Sequence, residues 1–281
     1  MKAALSKCWL CAAVFLTLSL SCTGASKAVP QGTAAGTDNN TVQPDVPQAI
    51  TAADNQTGGE ALTALLRAED YDEVIREANA ALADNPQDPG LMEKLADAYI
   101  ARAWYYKEKR LNPYTLNDLS RAVEVAPKYY RAHYELGRFH NNQWQFNIGL
   151  LDFNKAISLR PDFAPAYAER AYSSYKSQKY EVGLADAGRA IELDPSLPRS
   201  YCVRSLIYAA MGKPGPALED ADQAIRLAPG DAASYYNRSL VYTERGEATL
   251  AVADLETTLR LSQDDLLSTR ATADLRVLRT K

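Results

Sequence analysis

Carboxylates return along the 281-residue chain at Glu77, Asp118, Asp152, Asp186, Asp220 and Asp254, and arginines return in step at Arg170, Arg204 and Arg238. Paired acids can do acid–base work, one giving a proton while the other takes one. Catalysis needs such a constellation once, whereas this one reappears in every period. A ladder of Asp–Arg pairs between helices explains it better. Arg204 is expected beside Asp186 or Asp220, and Arg238 beside Asp220 or Asp254, each exposed pair contributing about 0–1 kcal/mol. The two histidines, His133 and His140, lie seven apart and share a helix face. Helical zinc pairs stand about four apart with further ligands nearby, and none is evident. No glycine-rich phosphate loop, nucleophile elbow or cysteine-pair metal motif occurs. The chain reads as no enzyme, with no cofactor and no metal.

The elements that carry these residues are set by a repeat. AVEVAP, AISLRP, AIELDP and AIRLAP close at Pro127, Pro161, Pro195 and Pro229, each 34 residues after the last. One supersecondary unit is being copied. Counting from those prolines gives units 55–88, 89–129, 130–163, 164–197, 198–231 and 232–265. Small residues recur where helices must cross closely. Position 8 holds Ala96, Gly137, Ala171, Ser205 and Ser239, and position 27 holds Ala81, Ala122, Ala156, Ala190, Ala224 and Thr258. Position 20 is looser, with Val74, Thr115, Gly149, Gly183, Ala217 and Ala251. An aromatic stands at position 4 as His133, Tyr167, Tyr201 and Tyr235.

This interval and these residues resemble the tetratricopeptide repeat (TPR). The resemblance implies an all-α, right-handed superhelix of about six helix-turn-helix units, 60–265, with a capping helix over 266–281. The first unit is degenerate, since Gly58 and Gly59 occupy its start and Glu60 begins it. The second is seven residues longer than the rest, close to two helical turns. The stretch Ala103–Arg110 is expected to project beyond its neighbours. Lys213-Pro214-Gly215-Pro216 is expected to break the fifth unit and start its second helix at Pro216.

Members of this family bind partners in a concave groove lined by positions 2, 5, 9, 12 and 13 of the first helices. Here those positions give Glu93 and Asp97, then Arg131, Tyr134, Arg138, Asn141 and Asn142. Ala168, Tyr172, Tyr175 and Lys176 follow, then Arg199, Cys202, Leu206, Tyr236 and Leu240. The Lys/Asn/Arg clamp of chaperone-binding members is missing, because Tyr134/Arg138, Ala168/Tyr172 and Cys202/Leu206 stand there. An aromatic surface with a few basic residues remains, suited to an extended or helical peptide with apolar and acidic groups. The bland alternative is that these tyrosines are half-exposed packing residues. Arg131, Tyr134, Arg138, Asn142, Tyr172, Tyr175, Lys176 and Tyr236 are the candidate groove, and Trp104, Tyr105 and Tyr106 a rival interface.

Hydrophobic residues at 47% and a net charge of −4 describe an ordinary folded chain. Its bases are interspersed with acids, so nucleic-acid binding lacks its electrostatic footprint. Tyrosine outnumbers phenylalanine, 17 to 5, which suits half-buried helix faces and binding surfaces alike. The start, with Lys2, Lys7 and an apolar run from Cys8 to Leu20, reads as an export signal over 1–21. Leu18-Ser19-Leu20-Ser21-Cys22 resembles a bacterial lipoprotein signal, which implies lipid on Cys22, although Ser19 stands where that family usually has leucine. Simple cleavage after Ser19-Leu20-Ser21, or an uncleaved anchor, is the alternative. Residues 22–59, poor in large apolar side chains, read as a disordered linker. Cys202 would be left alone as a packed residue. Asn39, Asn55 and Asn237 sit in N-x-S/T triplets of the kind that arise by chance.

The whole resembles lipid-anchored repeat proteins of bacterial envelopes, among them pilotins and outer-membrane assembly factors. The expected function is an exported, extracytoplasmic (periplasmic or cell-surface) scaffold binding a protein or peptide partner, with the lipid as its contact to the membrane. An accessory ligand-binding or transporter-associated subunit is the alternative, which an enclosed aromatic pocket would favour.

Overall fold

The computed structural model describes residues 70–280. The expectations for the signal, Cys22, the linker and the leading helix of the first unit lie outside them. The described chain is a run of α-helices: α1 (Tyr71–Asp84), α2 (Pro89–Glu108), α3 (Asn112–Val125), α4 (Tyr130–Asn142), α5 (Phe146–Leu159), α6 (Ala164–Lys176), α7 (Tyr180–Leu193), α8 (Pro198–Ala210), α9 (Pro214–Leu227), α10 (Ala232–Glu244), α11 (Ala248–Leu261) and α12 (Asp265–Arg279). From α2 to α11 they form five hairpins, each second helix packing on its own first helix and on the first helix of the next hairpin. Successive first helices also touch one another, while no two second helices pack closely. The first helices therefore lie on the inner side of the curve.

Small residues make these crossings possible. A Cβ added at Gly137 would lie 2.7 Å from the Phe153 ring, which fills that space and is fully buried. At Gly183 it would meet the Ile207 side chain at 2.8 Å and the Ala171 carbonyl at 3.2 Å. Such contacts are closer than packed atoms tolerate, so neither position accepts a larger residue without displacement. Position 4 adds a recurring tie. The Tyr167, Tyr201 and Tyr235 hydroxyls donate to the carbonyls of Pro161, Pro195 and Pro229 at 3.1, 3.1 and 3.2 Å. His133 does the same with Nε2, 3.0 Å from the Pro127 carbonyl. That ring is a substituted tie rather than a ligand.

Helix ends follow local chemistry. Asp88 accepts from the Leu91 N–H with Pro89 in the first turn, and Asp231 and Asp264 cap α10 and α12 in the same manner. Every hairpin turns through a left-handed residue: Arg110, Trp144, Gln178, Gly212 and Gly246, with φ from 58° to 76°. The next N–H then reaches back along the helix, as from Gln145 to the His140 carbonyl at 2.9 Å. In the fifth unit Gly212 makes this turn and α9 starts at Pro214, not Pro216. Proline is tolerated in a first helical turn because its missing N–H has no partner there anyway.

The second unit needs a correction of register. Arg102 pairs with Asp118 sixteen residues on, as Arg170 does with Asp186, and Ala103 is buried like the other position-8 residues. The regular repeat therefore starts at Ala96. The extra two turns lie at the front of α2, over 89–95, and not over Ala103–Arg110. Tyr99, Ile100 and Trp104 thereby take positions 4, 5 and 9. α12 likewise occupies the first-helix place of a further unit starting at Leu266, and buries Ala271 and Leu275 against α11.

Candidate functional site

The recurrent acids and arginines meet between the two helices of four of the five hairpins. Arg170, Arg204 and Arg238 each lay two guanidinium nitrogens on Asp186, Asp220 and Asp254, at 2.6–2.8 Å. Arg102 and Asp118 add a fourth rung at 2.7 Å. The aspartate side chains are only 1–8% exposed. These are not the exposed pairs first expected, so removing one partner strands a nearly sealed charge. The third unit has Leu136 in place of the arginine, and His140 Nδ1 meets Asp152 at 2.6 Å instead. Burial pushes the Asp152 carboxyl up, and the His140 contact opposes that. Among the described residues no three His, Cys, Asp or Glu side chains are grouped so as to hold a metal ion.

The inner face has a different character. Corrected register puts Trp104, Arg138 and Tyr172 at the same repeat position in consecutive units. The Arg138 guanidinium lies 4.8 Å from the Trp104 ring centroid and 5.7 Å from that of Tyr134. Beneath it Glu135, 5% exposed, accepts from Arg138 at 3.0 Å, with the Trp104 indole near enough to favour its charged form. Burial pushes the Glu135 carboxyl up, opposed by Arg138 and Arg131. Further along, Arg199 grips Glu169 through two nitrogens and stacks on Tyr172 at 4.6 Å. Arg131 stands 3.5 Å from Asp97, which also accepts from the Tyr129 hydroxyl. Tyr134 sits edge-on against Phe163 at 5.0 Å. Desolvation raises its phenol above the ordinary value, so it stays neutral at physiological pH.

The structure thus joins Trp104 to the groove and parts it from its sequence neighbours. Tyr105 stacks with Tyr71, and Tyr106 with Tyr114, on the side facing α1 and α3. Lys107 returns to the groove, with Nζ 4.2 Å from the Trp104 centroid. Burial and the neighbouring Arg138 bring its ammonium down to about 8. Tyr172, Tyr175 and Tyr180 continue the aromatic row, and Asn142 is exposed at its edge. Tyr236 is engaged from within, its hydroxyl donating to Asp274 of α12 at 2.9 Å. Cys202 is buried, with Sγ 3.1 Å from the Ser234 hydroxyl, and desolvation raises its thiol.

Two residues absent from the sequence-based set complete the inner face. Trp144 is 52% exposed at the turn of the third unit, and Arg270 of α12 lies 5.3 Å from its ring centroid. Arg110, at the turn of the second unit, reaches Asp265 at 2.9 Å. The stack therefore curves far enough for α12 to face the turns of the second and third units. Beside Trp144 lies an open cavity of about 700 Å3 lined also by Phe146, Ile148, Lys176 and Lys179. The signal for Arg270 was available in the period, since it is position 5 of the unit begun at Leu266. Its approach to Trp144 was not, because curvature sums over many small rotations between repeats.

Residues 202–265 match the family model described as tetratricopeptide repeat. The chain is similar in structure to a thermophilic TPR protein of Thermus thermophilus, with 18% identity, 64% of this chain and 98% of that one covered, and a TM-score of 0.57. It is similar also to the APC/C hetero-tetramer Cut9–Hcn1, at 14% identity over 78% of this chain and 41% of that one, with a TM-score of 0.59. A third likeness is to pilF of Pseudomonas aeruginosa, at 18% identity, 66% and 88% coverage and a TM-score of 0.52. No curated protein matches the chain in sequence. These likenesses show the fold, an all-α solenoid of TPR-type helical hairpins.

Proposed function

We propose that this chain is a noncatalytic scaffold that takes a protein or peptide partner in the groove formed by its first helices. The observation that carries the reading is a break in periodicity. Ladder and crossing positions hold the same residue class in nearly every unit, as a self-supporting stack requires. The groove positions do not. Position 9 runs Trp104, Arg138, Tyr172, Leu206 and Leu240, and position 12 runs Lys107, Asn141, Tyr175, Ala209 and Thr243. The aromatic and cationic members cluster in the second to fourth units, where rigid rings and arginine can anchor a partner at small entropic cost.

Tyr172→Ala is expected to weaken a captured partner by at least about 1 kcal/mol, with an unchanged thermal melt. Arg138→Ala weakens it too but also leaves buried Glu135 without its cation, so its stability must be followed alongside. If Tyr172→Ala and Trp104→Ala both bind the partner as the native chain does, the groove is not the interface. The cavity beside Trp144 is open to solvent, which gives no support to a dedicated small-ligand subunit.

We further infer that Cys22 carries lipid and holds the scaffold at a membrane outside the cytoplasm, on the strength of Ser21-Cys22 following the apolar run. No helix among the described residues is long and apolar enough to cross a membrane. Cys22→Ala should abolish metabolic fatty-acid labelling and release the protein from membranes. Labelling that persists in that variant removes the anchor.

A further inference from the structure

We propose that the place where α12 meets the turn of the third unit, beside the end of α6, is a seat for an acidic protein segment, in which Lys176 and Arg270 take a carboxylate while Trp144, Phe146 and Ile148 take the apolar side chain beside it. The proposal rests on the groove reading and names the chemistry of its partner.

The first support is charge balance. The groove arginines Arg131, Arg138 and Arg199 each have a carboxylate of this chain within salt-bridge range. Lys176 and Arg270 have none among the described residues, yet both stand on the same indole. Lys176 Nζ is 5.7 Å from the Trp144 centroid and Arg270 Cζ is 5.3 Å from it. Lys176 also lies 5.4 Å from Tyr172 and 5.3 Å from Tyr175. Its ammonium is pushed below the ordinary lysine value by burial and then by Arg270 and Arg199. Two like charges are thus held together in a partly desolvated place, where an incoming anion interacts with both at once.

The second support is the backbone at Trp144. Its φ of 62° is the conformation that Gly212 and Gly246 supply at two of the equivalent turns and that the polar Arg110 and Gln178 supply at the other two. An L side chain there is disfavoured, and this one is half exposed rather than packed into the core. Folding therefore has no need of an indole at this turn. The third support is the cavity itself. Its size is within the range of ligand pockets, its apolar wall is Trp144, Phe146 and Ile148, and its charged lining residues are Lys176 and Lys179 with no carboxylate. An acidic residue next to a bulky apolar one satisfies both parts.

The test uses the full-length protein and a short fluorescein-labelled peptide alternating Phe with Glu, against its Phe/Gln counterpart. The acidic peptide is expected to bind about tenfold more tightly, with the advantage shrinking as salt rises. Lys176→Gln and Arg270→Gln should each remove most of that advantage, and Trp144→Gly should weaken both peptides while the melt is preserved. Equal binding of the two peptides, or an acidic preference that survives both cation substitutions, overturns the seat. So does tighter binding to phosphatidylglycerol vesicles or to inorganic phosphate than to the peptide, since the anion would then not be a protein carboxylate. If Trp104→Ala weakens the peptides while Lys176→Gln and Arg270→Gln do not, the groove stands and the seat falls. If no groove substitution matters, both fall.

Discussion

The ladder arginines and the groove cations share a chemistry and differ in their company. Arg102, Arg170, Arg204 and Arg238 each close a two-pronged contact on an aspartate nearly sealed from solvent. Lys176 and Arg270 rest on Trp144 with no carboxylate in range among the described residues. A charge that the stack needs is supplied in unit after unit together with its partner. A charge that appears once, without a partner, has no counterpart in the stack, which is why the proposed acidic segment is looked for outside the chain.

That contrast breaks most visibly at Asp118, whose side chain is 1% exposed. Arg102→Met strands the Asp118 carboxylate and should lower stability by about 3 kcal/mol, with no effect on groove binding. Chemical denaturation checks it. A loss below about 1 kcal/mol would reduce the ladder to ordinary surface pairs. The turns sharpen the contrast next. Gly212→Ala, at φ 69°, should lower stability by about 1 kcal/mol, whereas Trp144→Gly at φ 62° should leave the melt unchanged or raise it. Equal losses at the two sites would mean that the indole has a packing role after all.

The smallest effect is a pH dependence at Lys107. Its folded value of about 8 lies below its ordinary 10.5, so its contribution to stability is fully present above about 10.5 and lost as pH falls through 8. Lys107→Met should therefore be the more stable protein at pH 7, by less than about 1 kcal/mol, with the difference closing between pH 8 and 10.5. A difference that does not change over that window contradicts the burial of this ammonium beside Arg138.

Much of the scaffold was legible because it is local and repeated. Prolines 34 apart, small residues at the crossings, and acids and arginines in step specify helical hairpins without knowledge of curvature. The groove was legible in part. Arg131, Tyr134, Arg138, Tyr172 and Tyr175 fall on first helices by counting alone. Trp104 was set apart as a rival because the seven added residues were placed over Ala103–Arg110, with Trp104 among them, rather than before Ala96. The Arg102–Asp118 pair, repeating the sixteen-residue step of Arg170–Asp186, was the signal that would have fixed the register. Arg270 and Trp144 were missed for a different reason. They are far apart in sequence, and they meet only because the stack bends, which no periodicity encodes.

The account stands most directly on where a partner touches the chain. A photo-reactive side chain placed at Asn142, exposed at the edge of the groove, is compared in living cells with one at Leu151, 67% exposed on a second helix. The groove position is expected to trap a discrete partner whose capture falls on Tyr172→Ala, while the second-helix position traps none. Capture from Leu151 with none from Asn142 would contradict the account and move the interface to the outer face.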